Sequence, residues 1–217
     1  MRSYQSEFIE FVIKNQILRF GSFTLKSGRV SPYFFNAGLF NTGSKMAFLA
    51  DSYAQAIAQA DLDIDTLFGP AYKGIPLVAA TSMALARNHS IDLPWCFNRK
   101  EVKDHGEGGN IVGASLSGKT LIIDDVITAG TAIREAADLI KAQGAVLAAI
   151  IVAMDRQEVG TGTMSAIQEI ASSYQIPIVN IISLQDIIDY LAETEDAAFS
   201  ENLQAIVDYR DKYGVVA

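Results

Sequence analysis

From Thr66 onward the chain alternates short apolar runs with stretches of helical length, and this alternation constrains the fold more than any other feature of its 217 residues. Thr66 to Phe68, Trp95 to Asn98, Leu121 to Val126, Ala145 to Met154 and Ile178 to Ile182 read as strands. Ile75 to Arg87, Thr131 to Gln143 and the region around Met164 to Tyr174 read as helices, the second closed by Gly144. A run such as Ala145 to Met154 has no polar face, so as a strand it must be covered on both sides. That is the position of a strand in a parallel sheet with helices on its two faces. Ahead of the alternation, Tyr4 to Ile17 has the spacing of an amphipathic helix. Phe20 to Asn36 reads as two strands around the turn-like Lys26-Ser27-Gly28-Arg29, and Ser44 to Ala60 as an Ala-rich helix. Two further helical stretches end the chain. The expected class is α/β, a central parallel sheet flanked by helices, in one domain over residues 1–217.

Half of the residues are hydrophobic, enough for a substantial core. The longest apolar run, Ala145 to Met154, is about half of the roughly 20 residues that cross a bilayer. The N-terminal segment mixes acids among its apolar residues and carries no signal-type block. A cytoplasmic protein without membrane attachment is expected. Cys96 is the only cysteine, which rules out an internal disulfide or a cysteine metal cluster and suits a packed thiol. The net charge of -8 opposes a general nucleic-acid surface. Any positive charge that meets a phosphate must therefore be local.

Gly113 to Thr120 fits the pattern of a nucleotide-binding P-loop, G-x-x-x-x-G-K-T, but its context does not. A P-loop needs a helix directly after its Lys-Thr, whereas Lys119-Thr120 runs into the apolar strand LIIDDV. The segment reads instead as a turn between two strands with Lys119 solvated. Asn88-His89-Ser90 matches a glycosylation acceptor that a cytoplasmic chain would not use, and His89 reads as a surface residue.

The chemistry is concentrated in LIIDDVITAGTAIREAADLIKAQGA. An apolar strand delivers Asp124 and Asp125 to its carboxyl end, where ligands of open α/β sheets bind. Thr128 and Thr131 add hydroxyls, and Gly130 lets the backbone come close to a ligand. The N–H groups in the first turn of the following helix are free for an anion. A phosphate held there leaves two carboxylates within reach of sugar hydroxyls or a cation. A second unusual stretch, Arg99 to Gly109, gathers the positive charge that the whole lacks and is almost free of apolar side chains. It reads either as a solvated loop or as a mobile lid.

LIIDDVITAGTA resembles the phosphoribosyl pyrophosphate (PRPP) loop of type I phosphoribosyltransferases. FTLKSGRVSPYFFN (Phe23 to Asn36), GPAYKGIP (Gly69 to Pro76), FNRKEVKDHGEGG (Phe97 to Gly109) and MDRQE (Met154 to Glu158) resemble, in the right order, segments of the orotate phosphoribosyltransferase family. The resemblance covers about Phe20 to Glu158. It implies the type I phosphoribosyltransferase fold, with an N-terminal helix and hairpin hood over about residues 1–40 and a mobile lid over about 99–110. It also implies Mg²⁺-dependent transfer of ribose 5-phosphate from PRPP to orotate, giving orotidine 5'-phosphate and diphosphate on the route to UMP.

By the same resemblance, PRPP is bound by Lys26, Tyr72, Lys73, Arg99, Lys100, Lys103, His105 and the loop Asp124, Asp125, Val126, Ile127, Thr128, Ala129, Gly130, Thr131 and Ala132. Lys103, Asp124 and Asp125 are implied to be catalytic. Orotate is implied to lie against Phe34 and Phe35, with Lys26, Thr128 and Arg156 as polar contacts. At least one of the two rings is expected in the core, leaving main-chain contact to the base. Mg²⁺ is carried mainly by PRPP, either with no direct side-chain ligand or with Asp124 and Asp125 acting through water. The family's lid reaches into the neighbouring subunit's site, which implies a homodimer. The rival readings are a PRPP-sensing regulator without catalysis and a purine phosphoribosyltransferase. Lys26, Phe34, Phe35 and Arg156 favour orotate over a purine, and the basic lid favours catalysis over sensing.

Overall fold

The computed structural model describes the chain apart from Lys26, residues 104–108, Thr161, residues 195–196 and residues 216–217; of Val102, Lys103, Ala197 and Ala198 only the backbone is described. Helix α1 (Ser3–Lys14) is followed by an antiparallel pair, β1 (Leu18–Thr24) and β2 (Val30–Phe35), that forms its own two-stranded sheet. Next come α2 (Gly43–Gln59), β3 (Thr66–Gly69), α3 (Gly74–His89), β4 (Trp95–Lys103), β5 (Gly109–Gly113) and β6 (Lys119–Asp124). Helix α4 (Thr131–Ala142), β7 (Val146–Asp155), α5 (Ala166–Tyr174), β8 (Ile178–Ser183), α6 (Leu184–Glu193) and α7 (Ala197–Tyr213) complete the order.

The main sheet has six strands in the order β5-β4-β3-β6-β7-β8, and all neighbours are parallel except β5 against β4. Strand alternation divides its side chains between two cores. Leu67, Leu121, Ile123, Ile151 and Ala153 point to the layer that holds Leu49, Tyr53 and Ile57 of α2 and Leu77, Val78 and Leu85 of α3. Phe68, Ile122, Ile150 and Val152 point the other way, onto Ile133, Ala136 and Ile140 of α4 and Ile170 of α5. The sheet is thus covered on both faces, which is why the middles of β3, β6 and β7 (Leu67-Phe68, Leu121 to Ile123 and Ala149 to Met154) are wholly apolar.

The chain enters the sheet at β3, builds outward through β4 and β5, then returns to the opposite side of β3 with β6. Strands β3 and β6 are therefore parallel neighbours whose following segments leave in different directions. Such a switch point opens a crevice at the carboxyl ends of the strands.

Three expectations need correction. The first helix ends at Lys14, because Asn15 caps it and Gln16 takes a positive φ of 57°; Ile17 belongs to the core, not to the helix. The expected lid from 99 to 110 is not irregular throughout. Arg99 to Lys103 continue β4 and Gly109 opens β5, with Lys103 paired to Gly109. Backbone pairing needs no apolar side chains, so composition did not reveal these flanks. Lys119 is exposed as expected; its amine pairs with the likewise exposed Asp63 at the surface, and its N–H donates to the Asp65 carboxylate at 2.8 Å. His89 is half-buried at the end of α3 rather than on the open surface. The segment from Gly113 to Lys119 is the expected turn between strands, and Cys96 is buried, its thiol pushed up to about 11 by that burial.

Candidate active site

The segment after β3, Pro70 to Lys73, must turn tightly before α3 starts. A Cβ on Gly69 would lie 2.2 Å from the Gly74 carbonyl oxygen, so the two ends of this loop close only with glycine there. The side-chain oxygen of Asn98 on β4 accepts from the Ala71 N–H at 2.8 Å and fixes the loop from the next strand. Tyr72 and Lys73 are left exposed. The Lys100 amine on β4 lies 5.6 Å from the centre of the Tyr72 ring, within cation–π range.

The segment after β6 carries the two acids. Both are buried, Asp124 to 9% and Asp125 to 6% exposure. The Asp125 N–H donates to Asp124 Oδ1 at 2.9 Å, and the Val126 N–H to Asp125 Oδ1 at 2.9 Å. From the opposite layer the fully buried Tyr53 hydroxyl donates to the Asp124 carbonyl at 2.8 Å, while the Ala153 N–H of β7 donates to the Asp125 carbonyl. The main chain of the pair is thus held from α2 and β7 at once. Burial, reinforced by the neighbouring Asp125 charge, raises the Asp124 carboxyl to about 7, against the opposing pull of the Asp125 N–H and of Lys73. Lys73 Nζ reaches Asp125 Oδ2 at 2.5 Å and joins the two loops across the switch point.

Beyond the acids the chain wraps a hollow of about 130 Å³, lined by Asp124 and residues 126–133. Gly130, at a φ of 73°, is the residue from which α4 starts, and it supplies no side-chain cap to the first turn. Thr128, Ala129, Thr131 and Ala132 are exposed around this hollow, whereas the Ile127 side chain turns down into the core. A ring of main-chain and hydroxyl groups ahead of a helix N-terminus, with acids at its mouth, suits a phosphate attached to a sugar.

A second group assembles where β7 ends. Arg156, just past Asp155, lies under the hairpin. Its guanidinium carbon is 4.6 Å from the centre of the Tyr33 ring, and its Nε and Nη2 donate to Glu158 Oε1 at 3.0 and 2.5 Å. Burial pulls the Arg156 pKa down, but Tyr33 and Glu158 offset this and leave it raised. On β2, Phe35 points into the core and Phe34 to the other face, where its ring stacks on Phe23 at 5.6 Å. Any base contact from Phe35 therefore comes from its main chain.

The structure brings Lys73 to Asp125 and Lys100 to Tyr72, and places Arg156 beside Ser31 and Tyr33 at the same end of the sheet. Arg99 is half-buried on β4. Lys26, His105 and the middle of the expected lid lie outside the described residues, as does the Lys103 side chain. Tyr53, Asn98, Tyr33 and Glu158 join the site without any role legible in the sequence. Each acts through a partner distant in sequence or, for Glu158, through a short motif whose last residue carried no role, so the chain offered no local signal.

A doubly covered parallel sheet with an acid pair and T-x-G-T loop at its switch point defines the type I phosphoribosyltransferase fold. Residues 40–162 match the phosphoribosyl transferase domain. The chain is 59% identical over 215 residues to the orotate phosphoribosyltransferase of Thioalkalivibrio sulfidiphilus, covering 99% of this chain and all of that one. It is 58% identical, with the same coverage, to that of Pseudomonas aeruginosa. The crystal structure of the Francisella tularensis orotate phosphoribosyltransferase superposes with a TM-score of 0.87 at 48% identity, over 96% of this chain and 99% of that one. The chain belongs to the orotate phosphoribosyltransferase family, an enzyme family of pentosyltransferases.

Proposed function

We propose that this chain transfers ribose 5-phosphate from PRPP to orotate, forming orotidine 5'-phosphate and diphosphate on the route to UMP. The observation that carries this reading is the pairing of Lys73 with Asp125 across the switch point, beside the hollow at the mouth of α4. The 5-phosphate occupies the hollow of residues 126–133, held by main-chain N–H groups and the hydroxyls of Thr128 and Thr131. The ribose hydroxyls then lie against Asp124 and Asp125, and pyrophosphate extends toward Tyr72, Lys73 and Lys100. In the reaction the bond from the anomeric carbon to pyrophosphate breaks with its electron pair leaving on oxygen; a bond from that carbon to a ring nitrogen of orotate forms while the N–H bond of that nitrogen breaks, its proton passing to the departing pyrophosphate or to water. The sugar passes through an oxocarbenium-like state that needs no protein nucleophile. The protein supplies instead positive charge where pyrophosphate departs, from Lys73, Arg99, Lys100, Lys103 and His105, and negative charge near the cationic sugar. Arg156 and Lys26 meet the carboxylate or ring oxygens of orotate, which sits beside Phe34 and the main chain of Phe35.

Among the described residues no three His, Cys, Asp or Glu side chains gather as a metal cage. Mg²⁺ would accordingly be carried by the oxygens of PRPP, with the adjoining carboxylates of Asp124 and Asp125 within reach through water. When bound, it supplies charge neutralisation to the leaving pyrophosphate. The lid between β4 and β5, closing over pyrophosphate and shared with a second copy in a homodimer, belongs to the same proposal. So does a cytoplasmic setting, supported by a single, buried thiol and by the lack, among the described residues, of any helix long and apolar enough to cross a membrane.

The test is incubation of the protein with PRPP, Mg²⁺ and a panel of pyrimidine and purine bases, following pyrophosphate release. Release with orotate alone is expected. Release with a purine instead, or PRPP binding without turnover on any base, would overturn the reading.

A further inference from the structure

We propose that Glu158 is a positioning residue for the base end of the reaction, holding Arg156 so that one corner of its guanidinium is left to meet orotate. The proposal rests on the reading above that Arg156 contacts the base. Glu158 Oε1 accepts from three donors: Arg156 Nε at 3.0 Å, Arg156 Nη2 at 2.5 Å and the Tyr33 hydroxyl at 3.0 Å. The Tyr33 ring lies under the guanidinium, and Nη2 is 3.5 Å from the Ser31 hydroxyl. Among the described residues no bond is made to Nη1. Both partners of the ion pair are largely buried, their side chains 16% and 13% exposed.

The carboxylate is itself firmly mounted. The segment that carries it pairs with the end of the chain: Glu158 bridges to Gly214, the Val159 N–H donates to the Tyr213 carbonyl at 2.8 Å, and the Val215 N–H donates to the Gln157 carbonyl at 2.9 Å. From the other side Arg29 of the hairpin donates to the carbonyls of Val159 at 2.9 Å and Gly160 at 3.3 Å, with its guanidinium over the Tyr213 ring. Tyr209 of α7 packs edge-on against Tyr33. Three distant stretches of chain, the hairpin, residues 156–160 and the C-terminal helix with its tail, thus converge on one arginine.

Two effects of Glu158 on an anionic base oppose each other. Its charge repels the base. Its bonds, however, remove the rotamer freedom that an unrestrained arginine would lose on binding. If Glu158 only neutralised a buried cation, its removal would leave Arg156 more attractive to orotate. A positioning role predicts the reverse.

Steady-state kinetics with both substrates on Glu158→Ala, Glu158→Gln, Arg156→Ala and the Glu158→Ala/Arg156→Ala pair decide between them. Glu158→Ala is expected to raise the KM for orotate about tenfold while the KM for PRPP stays within about twofold. Glu158→Gln, whose amide oxygen still accepts from the guanidinium, should recover part of the loss. The double variant should be no worse toward orotate than Arg156→Ala alone. An orotate KM that is unchanged or lower in Glu158→Ala, while Arg156→Ala raises it selectively, overturns the positioning role by itself. A lack of any selective effect from Arg156→Ala overturns the base-contact reading beneath it. Should Glu158→Ala fail to fold, Tyr33→Phe carries the same test, since it removes one bond to the carboxylate and keeps the ring under the guanidinium. An increase of about threefold in the orotate KM is expected, and no change overturns the proposal.

Discussion

Lys73 Nζ lies 2.5 Å from Asp125 Oδ2, so the loops that follow two neighbouring parallel strands are tied together. The cation is the exposed member of the pair, at 69% against 8% for the acid. In the proposed complex pyrophosphate takes the exposed lysine while a sugar hydroxyl takes the acid. Lys73→Gln should raise the KM for PRPP about tenfold, the worth of one charge-assisted contact, with a smaller effect on orotate. Equal effects on both substrates would mean that Lys73 only holds the two loops together.

The raised Asp124 carboxyl has a signed consequence for stability. Its folded pKa of about 7 exceeds the ordinary carboxylate value of 3.8, so between those values the native state binds more protons than the unfolded one. Stability from this group is complete below about pH 4 and is lost as pH rises toward 7. Asp124→Asn, which removes the buried charge, should therefore melt above the wild type at pH 8 and close to it at pH 4. Thermal melts across that range measure the difference. A wild type that gains on the variant as pH rises would contradict the cause assigned to the shift.

Replacing both Asp124 and Asp125 by Ala should abolish turnover, by about a thousandfold or more, and weaken PRPP binding while the circular dichroism spectrum is kept. The side chains cap a strand end, and burial opposes the charged form of Asp124, so the sheet does not depend on them. Normal kinetics in the folded double variant would remove this loop from the active site.

Gly130→Ala tests the loop by shape rather than charge. The position has a φ of 73°, and an added Cβ would lie 2.7 Å from Ile170 Cδ1 of the neighbouring helix. We expect a loss of about 1–3 kcal/mol in unfolding free energy together with weaker PRPP binding, read by chemical denaturation and calorimetry. A variant as stable as the wild type would show that the start of α4 yields easily.

The proposed sharing of the lid between two subunits is tested by mixing two inactive forms, Lys103→Ala and the Asp124→Ala, Asp125→Ala pair. A heterodimer contains one site with an intact lid and an intact loop, so activity should partly return once subunits exchange. A mixture that stays dead, with exchange shown independently, would confine each lid to its own subunit and leave the assigned reaction standing.

Local pattern determined much of this molecule. The apolar runs at Leu121 and Ala145 could only be strands buried on both faces, and Gly144 could only end a helix, because period and backbone preference act within a few residues. The acid pair followed by T-x-G-T was legible for the same reason: strand end, loop and helix start are consecutive in the chain. The decisions of tertiary structure are those that join residues far apart in sequence. Which strand returns beside β3 places Lys73 on Asp125. Only the docking of hairpin and C-terminal tail on residues 156–160 sets Tyr33 and Glu158 around Arg156, and only packing of α2 brings the Tyr53 hydroxyl to the Asp124 carbonyl. Such pairs leave no periodic trace in the chain, because the free energy that selects them comes from burying the faces of whole elements, and the polar contacts form where those faces happen to bring partners together.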